Sequence, residues 1–216
     1  MIDTVIFDLD GTLLNTLDDL TDSVNYALSS LGYPVRTSDE VRMMVGNSVI
    51  YLIEQALPEG TEKEQFERCL AAFEEHYKTN MRNKTAPYGG VEQMLADVKS
   101  AGYKVAVVSN KPDVFTKKLV DELFGEYIPF AIGRSEDIPR KPAPDMVLYA
   151  MQRLGSDTST TVYVGDSEVD VITSKNAGVP CIGCLWGFRD KATLEREGAE
   201  YLVSSPSELI ETIKHI

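Results

Sequence analysis

Short apolar segments alternate with amphipathic segments along most of this 216-residue chain. The short segments are rich in β-branched residues and are continuously apolar, which is typical of strands that are buried on both faces. They lie at residues 5–7, 105–108, 162–164 and 180–185. A chain that alternates strand and helix in this way folds as a parallel sheet covered by helices. We therefore predict an α/β fold built on a parallel sheet.

One stretch interrupts this alternation. Residues 15–86 show only helical periodicity, and we expect about four helices and no strand there. Capping-box spacing, which marks the start of a helix, occurs at Thr37 with Glu40 and at Thr61 with Glu64. We predict two domains: an α/β core of residues 1–14 and 87–216, and a helical domain of residues 15–86 inserted into it.

The charge balance limits the partners of this chain. The sequence has 21 Lys and Arg against 34 Asp and Glu, which gives a formal net charge of −13. Such a field repels nucleic acid and anionic membranes, so we expect neither as a partner. The three cysteines make an odd set, and the first residues show no basic flank or signal-type apolar region. We expect a soluble protein in a reducing, cytoplasmic setting.

The first predicted strand leads into two closely spaced acids. Asp8 and Asp10 project to the same side, because side chains alternate along an extended backbone. Two carboxylates this close repel each other unless a cation lies beside them, and a hard divalent metal is the natural partner. Taken alone, the segment equally fits a strand end that caps the next helix with Asp10 or Thr12.

Polar residues also follow the predicted strands that end at residues 108 and 164, and the segment 130–133, which we interpret as a further strand end. Because the carboxyl ends of strands in an open parallel sheet line one crevice, residues far apart in sequence can meet there. Taken alone, the serine after residue 108 is more simply the N-cap of the following helix. The residues concerned are Ser109, Asn110, Lys141, Asp166 and Asp170.

These segments, in this order, resemble the four motifs of the haloacid dehalogenase superfamily. The motifs are D-x-D-G-T-L at residues 8–13, Ser-Asn at 109–110, Lys-Pro at 141–142, and Gly-Asp-Ser at 165–167 with a further aspartate at 170. The resemblance covers essentially the whole chain and implies a Rossmann-like, doubly wound core with an inserted all-helical cap domain. Within the superfamily the chain is similar to phosphoglycolate phosphatases, through residues 10–16, 45–48 and 141–145.

The resemblance implies hydrolysis of a phosphate monoester. Asp8 would attack phosphorus to form an aspartyl phosphate, and Asp10 would protonate the leaving alcohol and later accept a proton from water. Mg²⁺ would be held by the Asp8 side chain, the Asp10 backbone carbonyl and Asp166. Lys141 would place a fixed positive charge near the nucleophile and the phosphate. Asp170 would be an outer-shell orienting residue or a partner for Lys141.

Phosphate and substrate would be bound by Thr12, Ser109, Asn110 and, in the cap, Asn47. The cap segment fits equally well a turn between helices, with Asn47 or Ser48 as the N-cap. Lys111 is a weaker candidate for binding phosphate or a carboxylate, since a solvated loop lysine is the commoner outcome.

Other chemistries have less support in the sequence. The C-x-x-C spacing of Cys181 and Cys184 falls in a predicted buried strand, which favours structural thiols over a redox site. Trp186 and Gly187 follow that strand, either in a loop near the site or anchored against the core. The chain lacks G-x-S-x-G, a Walker A loop and G-x-G-x-x-G, which argues against serine hydrolases, P-loop enzymes and dinucleotide-binding proteins.

We therefore expect a Mg²⁺-dependent phosphomonoester hydrolase, a monomer or homodimer, that acts on a small phosphorylated metabolite, with 2-phosphoglycolate as the first substrate to test. The alternatives are a sugar phosphomutase of the same superfamily and a non-catalytic binding protein on this fold. Thr12-Leu13 resembles the corresponding residues of phosphatases more than the Val-Ile variants of mutases. A carbon–halogen hydrolase is disfavoured, because Asp10 would have no alkoxide to protonate.

Overall fold

A computed structural model describes residues 1–216 of the chain. Eight strands and ten α-helices follow each other along it, with one short 3₁₀ turn at Pro206–Glu208. The strands are β1 (Thr4–Phe7), β2 (Leu14–Asn15), β3 (Ala86–Pro87), β4 (Lys104–Pro112), β5 (Phe130–Arg134), β6 (Thr161–Gly165), β7 (Cys181–Cys184) and β8 (Tyr201–Val203). The helices are α1 (Leu17–Ser30), α2 (Ser38–Met44), α3 (Val49–Ala56), α4 (Lys63–Asn80), α5 (Val91–Ser100), α6 (Asp113–Phe124), α7 (Asp145–Leu154), α8 (Glu168–Ala177), α9 (Lys191–Glu197) and α10 (Leu209–Lys214).

Six strands form one parallel sheet in the order β5-β4-β1-β6-β7-β8. The chain runs outward from β1 through β4 and β5, returns to β6 beside β1, and runs outward on the other side through β7 and β8. This is the strand order of a Rossmann-like, doubly wound sheet, so the predicted fold class is confirmed. Ligands of such sheets bind outside the carboxyl ends of the strands, where the order reverses. Here the reversal lies between β1 and β6.

Burial of the central strands explains why their sequences are easy to recognise. Every residue of β1 and of β6 is buried. Because neither face of these strands meets water, their sequences are mostly apolar and do not alternate with exposed polar residues. The edge strand β8 has only three residues, and two of them are partly exposed. A segment this short shows no usable periodicity, so its sequence does not predict a strand.

Residues 15–86 form a compact unit that contains the four helices α1 to α4. The capping box predicted at the start of α2 is present: the Thr37 side chain accepts from the Glu40 N–H, and the Glu40 carboxylate accepts from the Thr37 N–H at 2.7 Å. The second predicted box is wrong. The Thr61 hydroxyl donates instead to the Pro58 carbonyl at 2.7 Å, and α4 starts after Glu62 without a side-chain cap.

A buried carboxylate joins the two ends of this helical unit. Asp19, in the first turn of α1, accepts hydrogen bonds from the backbone N–H groups of Lys84 at 3.0 Å and Thr85 at 2.8 Å. The bonds hold the segment that leaves the unit against the helix that enters it.

The second compact unit consists of Met1–Leu14 and Pro87–Ile216 and contains the whole six-stranded sheet. The cap role of residues 15–86 stays a prediction. None of the helices combines the length and the apolar character that crossing a membrane requires. The cytoplasmic setting stays a prediction as well.

Candidate active site

Asp8 follows β1 directly and is the central carboxylate of the site. Its backbone N–H donates to the Val164 carbonyl of β6 at 2.9 Å, which fixes it where the strand order reverses. Its Oδ1 lies 2.9 Å from Lys141 Nζ. Burial raises the pKa of Asp8 to about 7, although the Lys141 charge opposes this shift. The charged form of Asp8 therefore depends on nearby cations.

Lys141 is fully buried and joins two carboxylates. Besides Asp8, its Nζ contacts Asp170 Oδ1 at 2.7 Å and donates to the Tyr163 hydroxyl at 3.0 Å. Burial lowers the pKa of Lys141, but the charges of Asp170 and Asp8 outweigh that effect and raise it well above its usual value. The side chain therefore stays protonated. The structure places Asp170 against Lys141, one of the two positions expected for it.

Asp170 is held on both of its oxygens. Its Oδ2 accepts from the Ser167 hydroxyl at 2.6 Å and from the backbone N–H groups of Ser167 and Asp166, which closes the start of α8 as a capping box. A Cβ on Gly165 would lie only 2.3 Å from the Asp170 Cβ. The glycine and the serine before the second aspartate thus serve the placement of that aspartate.

Asp166 follows β6 and lies beside Asp8. The Thr12 hydroxyl donates to its Oδ1 and the Phe188 N–H donates to its Oδ2, both at 2.8 Å. Burial, together with the charges of Asp170 and Asp8, raises the pKa of Asp166 well above its usual value. The Thr12 hydroxyl is thus hydrogen-bonded to a carboxylate in this structure. Phosphate binding by Thr12 stays a prediction.

The residues present fit a hard divalent cation. One oxygen from each of Asp8, Asp166 and Asp170 lies within 4.8 Å of the other two, and all three side chains are buried. Three buried carboxylates this close repel each other, and a cation with oxygen ligands relieves the repulsion. Asp170 binds the Lys141 ammonium with Oδ1 and accepts three hydrogen bonds on Oδ2, whereas each Asp166 oxygen accepts one. Asp8 and Asp166 therefore keep more acceptor capacity for a cation than Asp170 does.

Ser109 and Asn110 lie in the last part of β4, whose register with β5 shifts between Val108 and Pro112. The Asn110 side chain donates to the Lys141 carbonyl at 3.0 Å, and the Ser109 hydroxyl accepts from the Lys111 N–H at 3.3 Å. The alternative interpretation of Ser109 as a helix N-cap is wrong, because β4 continues to Pro112 and α6 starts after it. Phosphate binding by Ser109 and Asn110 stays a prediction.

Lys111 differs most from its expectation. The prediction of a solvated loop lysine is wrong: the side chain is 3% exposed, and its Nζ lies 2.8 and 2.9 Å from the two oxygens of Asp10. The continuation of β4 carries this lysine into the interior. The site thus contains a second buried ion pair.

The alternative interpretation of Asp10 or Thr12 as a helix cap is wrong. Neither residue caps the following helix, because α1 starts after Thr16 and has no side-chain cap.

A loop after β7 completes the surroundings of Asp166. The Trp186 indole N–H donates to the Thr12 carbonyl at 3.0 Å, so the tryptophan lies near the site. A Cβ on Gly187 would lie 2.3 Å from the Asp166 Cβ and 2.5 Å from the Gly11 carbonyl oxygen. The signal that could have identified this loop is a glycine between two aromatic residues directly after a strand.

Asn47 belongs to the helical unit, between α2 and α3, beside Ser48, which caps α3 by accepting from the Tyr51 N–H at 3.1 Å. Substrate contact by Asn47 stays a prediction.

Cys181 and Cys184 are buried free thiols, and burial raises the pKa of Cys181 to about 12. The prediction that these residues lie in a buried strand is confirmed, and their structural role stays a prediction.

The sequence matches the haloacid dehalogenase-like hydrolase family over residues 5–184. It is 33% identical to phosphoglycolate phosphatase 1 of Pseudomonas aeruginosa over 95% of this chain and 78% of the relative. It is 32% identical to the phosphoglycolate phosphatase of Aquifex aeolicus, over 95% of this chain and 94% of the relative. The crystal structure of a candidate phosphoglycolate phosphatase from Lactobacillus delbrueckii subsp. bulgaricus matches with a TM-score of 0.93 at 33% identity, covering 98% of both chains.

Proposed function

Because this chain belongs to the haloacid dehalogenase-like hydrolase family and is a phosphatase, we propose that it hydrolyses 2-phosphoglycolate in a Mg²⁺-dependent reaction that passes through an aspartyl phosphate on Asp8. The observation that carries this proposal is the buried contact of Asp8 with Lys141 at the carboxyl end of β1. A carboxylate in this position is oriented by a fixed cation and lies where a doubly wound sheet binds its ligands.

The reaction has two displacements at phosphorus. In the first, an oxygen of Asp8 bonds to phosphorus while the ester P–O bond breaks, and the leaving alkoxide takes a proton from Asp10. In the second, water attacks phosphorus, gives a proton to Asp10, and displaces the Asp8 oxygen, which releases inorganic phosphate. Each displacement is in line, and the charge on the phosphoryl oxygens needs cationic compensation throughout.

The chain's own residues supply part of that compensation. Lys141 orients Asp8 and places a positive charge beside the phosphoryl group, while Asp170 holds Lys141 in position. Mg²⁺, bound by the Asp8 side chain, the Asp10 backbone carbonyl and Asp166, would supply the remaining charge stabilisation. Asp166 is oriented for this role by its two hydrogen bonds.

The remaining phosphate contacts would come from Thr12, Ser109 and Asn110, all of which are buried at the same edge of the sheet. In the helical unit, Asn47 is the proposed substrate contact. The choice of 2-phosphoglycolate over other small phosphorylated metabolites is supported by the names of the relatives, which match nearly the whole chain.

A screen of phosphorylated metabolites, with release of inorganic phosphate as the readout, tests the proposal. We expect the highest kcat/KM for 2-phosphoglycolate in Mg²⁺ and loss of turnover in EDTA. Equal and feeble turnover of all substrates would contradict the assignment of 2-phosphoglycolate but not the phosphatase. Isomerised sugar phosphate without free phosphate would point to a phosphomutase.

A further inference from the structure

The reaction proposed above uses Asp10 but gives no role to Lys111, which forms a buried ion pair with it. Lys111 is almost completely buried, whereas the Asp10 side chain is 14% exposed, so the pair meets solvent on the Asp10 side. A buried ammonium is costly without a counter-ion, and a lysine that only stabilised the fold could instead extend into water as Lys117 does. Solvation of the Lys111 charge therefore does not explain why this side chain is buried.

The backbone around Lys111 is fixed from several directions. Its N–H donates to the Ser109 hydroxyl at 3.3 Å, and its carbonyl accepts from the Thr116 hydroxyl at 3.2 Å. A Cβ on Gly133 would lie 2.5 Å from the same carbonyl oxygen, so the neighbouring strand β5 packs directly against it. The backbone at Lys111 is therefore fixed, and the ammonium at the end of its side chain contacts both Asp10 oxygens.

Each of the two buried lysines contacts a different aspartate of the site. Lys141 contacts the nucleophile Asp8, whereas Lys111 contacts the acid Asp10. An acid that protonates the leaving alkoxide lies within hydrogen-bond reach of the bridging ester oxygen. Lys111, bound to both oxygens of that acid, therefore lies on the leaving-group side of the phosphorus.

From this arrangement we propose that Lys111 is a specificity-determining residue that binds an anionic group on the leaving alcohol. In 2-phosphoglycolate that group is the carboxylate, which is one methylene away from the bridging oxygen. The ammonium would share its hydrogen bonds between Asp10 and this carboxylate, so the site would favour phosphate esters of hydroxy acids over esters of neutral alcohols. This inference rests on the proposed function.

The test compares 2-phosphoglycolate with its amide, which has the same size but no charge on the leaving group. Lys111→Met should lower kcat/KM for 2-phosphoglycolate at least about 30-fold more than for the amide, since it removes a buried charge partner of the substrate. Lys111→Gln, which can still donate to Asp10, should show the same change in selectivity. Lys117→Met, which also removes a lysine paired with an aspartate, should leave the selectivity at its wild-type value.

Product inhibition provides a second readout. Glycolate carries the leaving-group carboxylate, whereas inorganic phosphate represents the phosphoryl group. In Lys111→Gln the inhibition constant of glycolate should rise by a larger factor than that of phosphate. A larger rise for phosphate would overturn the proposal, because Lys111 would then contact the phosphoryl group.

The outcomes separate this inference from the proposed function. If the wild-type protein hydrolyses 2-phosphoglycolate with Mg²⁺ and Lys111→Gln lowers kcat/KM for both esters by the same factor, the function stands and the role of Lys111 is wrong. If the wild-type protein hydrolyses neither ester, the proposed function fails and this inference fails with it. Melting temperatures of both variants establish that the proteins compared are folded.

Discussion

At the scale of single residues, the site is a balance of buried charges. Four carboxylates, on Asp8, Asp10, Asp166 and Asp170, meet two ammonium groups, on Lys111 and Lys141. With all six groups ionised, the acids exceed the lysines by two charges, which is the charge that one divalent cation supplies. Lys141 pairs with Asp8, the proposed nucleophile, and Lys111 pairs with Asp10, the proposed acid.

Asp8→Asn tests the nucleophile. Asparagine has nearly the shape of aspartate but cannot form the covalent intermediate, so we expect kcat to fall at least about 10⁴-fold. Asparagine also keeps the volume of the buried side chain and an oxygen that can accept from Lys141. The variant should therefore unfold as cooperatively as the wild type in EDTA. Turnover within about 100-fold of the wild type would refute Asp8 as the nucleophile.

Lys141→Met tests the buried lysine that joins two acids. The change leaves Asp8 and Asp170 buried without their counter-ion, and we expect the free energy of unfolding to fall by about 3–5 kcal/mol. Urea unfolding in EDTA measures the loss. Lys117→Met is the control, because its ion pair with Asp113 is exposed and should contribute less than about 1 kcal/mol. Equal losses of unfolding free energy in the two variants would show that Lys141 does not stabilise the buried acids.

At the scale of elements, the site is made where strands end and loops begin. β1, β4 and β6 deliver Asp8, Asn110 and Asp166 to one edge of the sheet. The capping box of α8 has two effects, since the Asp170 that closes the helix start also holds Lys141. The loop after β7 then packs its backbone against Asp166.

Gly187→Ala tests that loop. The new Cβ would meet Asp166 and the Gly11 carbonyl, so the loop must move and the hydrogen bond from Phe188 to Asp166 should be lost. We expect the affinity for Mg²⁺ to fall about 10–100-fold, as is typical when a hydrogen-bond partner of a metal ligand is removed. A Mg²⁺ titration followed by melting temperature measures this. Gly89→Ala adds the same methyl group in open space, and an equal effect there would contradict the prediction.

At the scale of the whole molecule, a net charge of −13 coexists with a site for a phosphate ester. The overall field repels an anionic substrate, so binding depends on local cations and backbone donors. The reversal of strand order beside β1 gathers these groups from segments that are more than a hundred residues apart in sequence. The proposed divalent cation would complete the local balance of charge.

Mg²⁺ should therefore stabilise the folded protein. At 100 times the dissociation constant, binding to the folded state alone adds about 2.7 kcal/mol. For a chain of this length we expect the melting temperature to rise by about 5–10 °C relative to EDTA. NaCl at matched ionic strength controls for screening of the net charge. A rise of the same size in Asp166→Asn would contradict the proposed metal site.

The sequence by itself determined the fold class and the residues that follow the central strands. It could do so because burial on both faces leaves a continuous apolar run, and because the strand ends of a parallel sheet share one edge. Only the tertiary structure decided which lysine contacts which acid, that Lys111 is buried, and that Gly187 packs against Asp166. These contacts join residues far apart in the chain, and their distances depend on how strands and loops pack. A local pattern of residues contains no information about that packing.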